Sequence, residues 1–169
     1  MTGRALNRWR IALGVLAALL LGAMTFIGET RIKPAAPDGQ LLQVQLFGYD
    51  THTLHSFMFA LQGAAEAPTY LATLLVVDSL FIAALSAFII TMLWPHRALA
   101  LSLAALYAAF DIAENALLLM ALSNTPAALV AYFPEPGQMS VASLFTSLKF
   151  ASLAVFALAL LWRWTKGRA

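Results

Sequence analysis

Residues 98–122 read ALALSLAALYAAFDIAENALLLMAL, a run in which Asp111 and Glu114 are the only charged residues. A helix needs about 20 mostly apolar residues to cross the hydrocarbon core of a bilayer. This run has the length. Tyr107, Asp111, Glu114 and Asn115 recur along it at helical spacing, so they share one stripe. A charge at the centre of a spanning helix costs about 2.5–3.5 kcal/mol on insertion scales. A helix that keeps two acids in its middle must therefore turn them away from lipid.

Three further segments have the same length and apolarity, at about residues 9–28, 70–93 and 140–162. The 169-residue chain is 62% hydrophobic and 11% charged. Soluble domains run near 45–50% and about 25%. This composition excludes an ordinary cytosolic enzyme and a disordered chain. There is no cysteine, which excludes a disulfide framework, a Cys-ligated zinc and an iron–sulfur cluster. The expected fold is all-α: a four-transmembrane-helix bundle forming a single integral membrane domain over residues 1–169. Pro95 in Trp94-Pro95-His96-Arg97 cannot continue a helix, so the second and third spans form a tight hairpin.

The basic residues give an orientation. With the N-terminus inside, Arg4, Arg8, Arg10, Arg97, Arg163, Lys166 and Arg168 all lie inside, seven of the ten Lys/Arg. Arg31 and Lys33 fall outside, with Glu29, Asp38, Asp50, Glu66 and Glu135. Trp9, Trp94, Trp162 and Trp164 also sit at the expected inner ends, where an indole prefers the headgroup layer. Both termini are expected in the cytoplasm, in a bacterial inner (plasma) membrane. The basic start and apolar stretch of the first segment resemble a secretory signal, but no small-x-small cleavage site precedes Glu29, so it reads as an uncleaved anchor.

Residues 29–69 and 123–139 are the external segments. Lys33 to Gly39 reads as a turn-rich linker. Leu42, Val44 and Leu46 alternate with Gln43 and Gln45, which predicts a short extended piece. Gly48-Tyr49-Asp50 reads as a turn, and Asp50 or Thr51 as a helix cap. Leu54, Phe57, Met58 and Leu61 recur at helical spacing up to Gly63. This short amphipathic helix should lay its apolar face on the membrane or on the outer mouth of the bundle. His52 and His55 on it read as a solvated or interfacial pair rather than metal or haem ligands, since no third ligand accompanies them and neither lies in a span. In the second external segment Thr125-Pro126 predicts a short helix to about Tyr132, followed by a turn over Phe133 to Gly137.

Asp78 and Lys149 join Asp111 and Glu114 inside spans. Four unpaired charges would cost roughly 10 kcal/mol or more. At about 1.5 Å per residue, Asp78 lies about 12 Å below Tyr70, Glu114 about 12 Å below Leu122, and Lys149 about 14 Å below Ser140. All four converge on one layer. Thr146, Lys149 and Ser152 share a stripe of the fourth span. The expected cluster is Asp78, Tyr107, Asp111, Glu114, Asn115 and Lys149, with Thr146 at its edge. Three carboxylates against one ammonium leave −2, which low dielectric does not sustain. At least one carboxyl should carry a proton at pH 7 while Lys149 stays charged, the site titrating as a unit.

Three readings of this cluster compete. A structural clasp that fixes helix register comes first, because buried ion pairs can specify packing without adding stability. A pocket for a lipid-like molecule comes second, with acid/base chemistry by a carboxyl and orientation by Lys149 or Asn115 as its enzymatic form. A proton or cation path is third. Asp111, Glu114 and Asn115 could ligate Mg²⁺ or Ca²⁺ through oxygen, but Lys149 competes for the carboxylates, so no metal and no cofactor is expected. The partners expected are the lipid bilayer, a lipid-like small molecule and other membrane proteins; nucleic acid is not. An accessory subunit of a larger membrane complex is an alternative, because small Ala-rich spans offer close-packing faces.

The residues Gly48-Tyr49, Leu61 with Gly63, Tyr70, Asp78, Asp111-x-x-Glu114-Asn115 and Thr146-x-x-Lys149 together resemble an uncharacterised family of bacterial four-helix integral membrane proteins. The resemblance spans roughly residues 46–150. It implies the four-helix fold and no known activity. Family members often carry Gly-Arg before the Tyr, where this chain has Ala64-Ala65-Glu66-Ala67-Pro68, and Trp after the Lys, where it has Phe150. A weaker likeness, in layout alone, is to the sterol-isomerase-like (EXPERA) four-helix proteins. Layout does not carry function.

Overall fold

The computed structural model describes residues 3–36, 41–123 and 139–166. Its α-helices are α1 (Gly3–Ile27), α2 (Thr51–Gln62), α3 (Ala67–Ala72), α4 (Ser79–Met92), α5 (Arg97–Ser123) and α6 (Val141–Lys166). A π-helical stretch, Thr73–Asp78, joins α3 and α4 into one rod. Four stretches, Arg4–Ala35, Ala67–Met92, Trp94–Ser123 and Val141–Thr165, are long and apolar enough to cross a membrane. The chain is thus the all-α four-helix bundle that its apolar runs predict.

α5 is the central rod, packed on both α4 and α6. Ala100, Ala104, Tyr107, Asp111, Glu114, Leu118 and Ala121 are all buried. Their alternating steps of three and four residues keep one seam facing its neighbours, as in a coiled coil. The rod through α3 and α4 follows a different spacing. Tyr70, Leu74, Asp78 and Ile82 are buried at steps of four. In a helix of 3.6 residues per turn, each such step drifts by about 40°. The wider turns of Thr73–Asp78, with i→i+5 bonding, absorb that drift. Without them Asp78 and Tyr70 would face different neighbours.

Two apolar cores result, with the charged residues between them. Leu54, Phe57, Met58 and Leu61 of α2 join Tyr70, Leu74, Leu118 and Ala142 at one end. Ile82, Ile89, Leu93, Leu103, Tyr107 and Phe156 form the core towards the other. At that second end, Arg10 Nε donates to Thr91 O at 2.9 Å, Arg163 donates to Met92 O, and the His96 ring lies 5.6 Å from that of Trp162. The start of α1, the end of α6 and the turn Trp94–His96 therefore gather together. The arginines cover carbonyls that the end of α4 leaves without helical partners.

The sequence left two seats for α2, and it occupies the bundle mouth. Its apolar face is fully buried. Asp50 is its N-cap and accepts from Thr53 N at 2.8 Å. At its other end Gln62 Nε2 donates to Ala121 O and Leu122 O at 3.3 and 3.0 Å, covering the carbonyl end of α5. The loop before α2 is tied to α6: Tyr49 N donates to Ser143 Oγ at 2.6 Å, and Ser140 N to Tyr49 O at 3.3 Å. Gly48 makes this approach possible. Its φ is +84°, and a Cβ there would collide with Ser143 Oγ and Met139 Cε.

Two expectations are corrected. Residues 42–46 are not an extended piece: Leu42–Val44 is a 3-10 turn. Leu42 is buried while Val44 and Leu46 are exposed, so one apolar anchor, not a whole strand face, is used. The first span does not end at Gly28; the rod continues as a π-helix, Gly28–Ile32, because Ile32 reaches back into the core. Lys33–Ala35 is a 3-10 turn, in keeping with the turn-rich linker expected there. The expected helix from Thr125 to Tyr132, the turn from Phe133 to Gly137, and residues 37–39 of the linker lie outside the described residues.

Candidate functional site

The cluster is assembled by three rods. α5 carries Tyr107, Asp111, Glu114 and Asn115 on its buried seam; α6 contributes Thr146 and Lys149 one turn apart; the widened turn before α4 delivers Asp78. All seven side chains are buried. Lys149 Nζ lies 2.9 Å from Asp111 Oδ1 and 2.5 Å from Glu114 Oε2. It bridges the two carboxyl groups, which occupy successive turns of one helix.

Each of these acids also accepts one hydroxyl. Tyr107 OH donates to Asp111 Oδ2 at 2.6 Å, and Thr146 Oγ1 donates to Glu114 Oε1 at 2.6 Å. Thr146 is therefore not at the edge of the cluster, as its spacing indicated, but fully enclosed within it. Ser152 Oγ donates to Lys149 O at 2.7 Å. Asp78 stands apart from the ammonium. It accepts from Asn115 Nδ2, and no ion pair to it forms among the described residues. The four ionisable groups thus divide into a three-member ionic knot and a carboxyl–amide pair, joined through α5.

Three polar atoms beside the cluster remain unmatched. Tyr49 OH, Tyr70 OH and Asn115 Oδ1 are buried and have no hydrogen-bond partner among the described residues. The Tyr70 ring packs edge-on against Phe57 of α2, with centroids 5.6 Å apart. An unpaired hydroxyl in such a setting costs about 1–3 kcal/mol, so it marks a position for a water or a ligand oxygen. Tyr49, in the loop that leads into α2, adds a second phenol. Its burial pushes that phenol above its ordinary pKa, and the nearby Glu114 charge acts in the same direction. In the sequence Tyr49 and Tyr70 stand out only as part of a turn and of the resemblance. The signal that could have placed them is their aromatic-plus-hydroxyl character next to the buried acids.

Among the described residues, no group of three or more His, Cys, Asp or Glu side chains is arranged to hold a metal. Between Asp111 and Glu114 it is the ammonium that takes the place of a cation. Compared with known proteins, the chain matches no family model, no curated protein and no solved structure.

Proposed function

We propose that the chain is an integral protein of a bacterial inner membrane, with both termini in the cytoplasm. Its Asp78, Tyr107, Asp111, Glu114, Asn115, Thr146 and Lys149 cluster organises the bundle and forms one wall of a small chamber for the polar end of a lipid-like molecule. The observation that carries the first part is the single ammonium within 2.9 and 2.5 Å of two carboxyl groups. Removing one member of such a buried set exposes the others to a large desolvation cost. The ligand reading is supported by the unmatched Tyr70 hydroxyl beneath the α2 cap. Seven basic residues on the inner side against two on the outer support the orientation. The resemblance to the bacterial four-helix family enters this proposal for its fold alone.

The charge count supports a further detail. Asp111 and Glu114 each have an ammonium and a hydroxyl, whereas Asp78 has one neutral amide. Asp78 is the carboxyl that holds the proton. A protonated Asp78 would offer a donor to the same amide, whose Oδ1 is otherwise unmatched. Infrared difference spectra of the purified protein test this. A protonated-carboxyl band near pH 7 that vanishes in Asp78→Asn supports the assignment; a spectrum without such a band rejects it.

Asp111→Asn separates clasp from catalyst. Loss of folded protein supports the clasp; a folded variant that no longer turns over a co-purifying lipid supports acid/base chemistry. Mass spectrometry of detergent-purified protein identifies any such molecule. A role as an accessory subunit is favoured by α1, which buries Ala17 alone among its described residues. Stoichiometric co-purifying subunits are the result that role requires.

A further inference from the structure

α1 packs on α4, and α6 packs on α5. Between α1 and α6 this leaves an open groove of about 1180 Å³, floored by Phe88 and Met92 of α4. Ile11 and Gly14 form one wall, and Ala157, Leu160 and Leu161 the other. Ligand sites commonly hold about 300–1,000 Å³, so this space exceeds what a small polar metabolite needs. It is long and apolar along its walls, and it is polar at one end, where Asn7, Arg10, Arg163 and Trp164 meet.

The two arginines are the informative part. Each donates to a backbone carbonyl at the end of α4, Arg10 to Thr91 O and Arg163 to Met92 O. These bonds hold two guanidinium groups close together despite their like charge. No acidic side chain lines the groove, and neither arginine forms an ion pair among the described residues. A guanidinium has five N–H donors, so both retain donors for an anion, and the planar fork suits phosphate oxygens. Exposed Trp9, Trp162 and Trp164 lie at the same end of the bundle, and indoles mark the headgroup level of a bilayer. Basic pockets between spanning helices are a known setting for anionic lipid headgroups.

We propose that this groove seats an anionic glycerophospholipid, one acyl chain along Phe88, Ala157 and Leu160 and its phosphate between Arg10 and Arg163. The site is separate from the Lys149 cluster and stands or falls independently of it. In the sequence Arg10 and Arg163 are orientation signals alone, because nothing in their spacing shows that they meet.

Native mass spectrometry of the delipidated full-length protein tests the proposal, with dioleoyl phosphatidylglycerol, dioleoyl phosphatidylcholine and inorganic phosphate as probes. One phosphatidylglycerol per chain is expected, at least tenfold preferred over phosphatidylcholine. Arg10→Gln with Arg163→Gln should erase that preference. Ala157→Trp keeps both arginines, alters an exposed position, and should remove the adduct by filling the trough. Should the double variant fail to fold, Ala157→Trp decides by itself. Equal binding of the two lipids overturns the proposal, as does phosphatidylglycerol retained by Ala157→Trp. So does competition by millimolar phosphate alone, which would make the site a simple anion hole. A dimer that Ala157→Trp dissociates would assign the groove to a second copy of the chain and overturn it equally.

Discussion

α1 and α5 are similar in length, 25 and 27 residues, and α1 has the lower share of polar groups in its middle. Yet α5 buries nine residues and α1, among its described residues, only Ala17. In water the more apolar helix would be the more deeply packed. In lipid, apolar side chains gain nothing by leaving the solvent, and helices associate through close contact and polar bonds. α5 has both: an alternating small and large seam, and four polar side chains that lipid cannot satisfy. α1 has a close approach at Gly14, where an added Cβ would stand 3.1 Å from Phe88 Cε2, and the Arg10 bond to Thr91 O. The three later spans are therefore joined by buried polar bonds as well as by packing, whereas the first packs along α4 and adds the Arg10 bond at one end.

The strongest way to break this contrast is Lys149→Met. It leaves Asp111 and Glu114 buried without a cation, and a loss of about 3–5 kcal/mol is expected. Thermal unfolding in mild detergent reads it as a collapse of the midpoint or of the yield. Adding Asp111→Asn and Glu114→Gln removes the stranded charges and should restore most of the loss; a triple variant as unstable as Lys149→Met would refute the clasp.

Gly48→Ala comes next, at about 1–3 kcal/mol, because a non-glycine residue at positive φ is strained and here also collides with α6. Limited proteolysis should cut the loop before α2 sooner, while the three later spans stay intact. Gly14→Leu should cost about 1–2 kcal/mol by overpacking the contact with Phe88. Crosslinking between α1 and α4 should fall, with no change in the Lys149 network; a shift in the carboxyl infrared bands would contradict the separation of the two regions.

The smallest effect belongs to the α2 cap. Asp50→Ala should cost about 1 kcal/mol. The Thr53 side chain and backbone N–H hold the Asp50 carboxyl below its ordinary pKa. A carboxyl depressed in the folded chain stabilises the fold above its unfolded value, and that contribution is lost as pH falls through the folded one. Protection factors in α2, which remove the intrinsic slowing of amide exchange in acid, should therefore fall below about pH 4, near the unfolded value of an aspartate. Asp50→Asn keeps a capping oxygen but does not titrate, and should flatten the response.

The four rods were legible because twenty apolar residues in a row have few other fates. The charged layer was legible because depth along a helix is simple arithmetic, and Lys149 does meet Asp111 and Glu114. The division within that layer was not legible. Asp78 faces Asn115 rather than Lys149 because of a widened turn that no residue type announces. Alternation misread residues 42–46, since one buried leucine suffices to anchor a 3-10 turn. The groove was hidden for a similar reason: Arg10 and Arg163 lie at opposite ends of the chain, and only tertiary packing brings them to the same pair of carbonyls.

The wide turn at Thr73–Asp78 behaves genetically like an inserted residue. Deleting one position from 73 to 77 would let the rod close into a regular α-helix without losing its length across the bilayer by more than about 1.5 Å. At about 100° per residue, Asp78 would then stand seven positions from Tyr70 and Ile82 eleven, each within about 20° of the face they now share. The wide turn is thus a place where the charged layer tolerates the loss of a codon. The same deletion inside the regular α4 has no wide turn at the break to close, and would swing Ile89 by about 100° out of its core; hydropathy would score the two deletions alike.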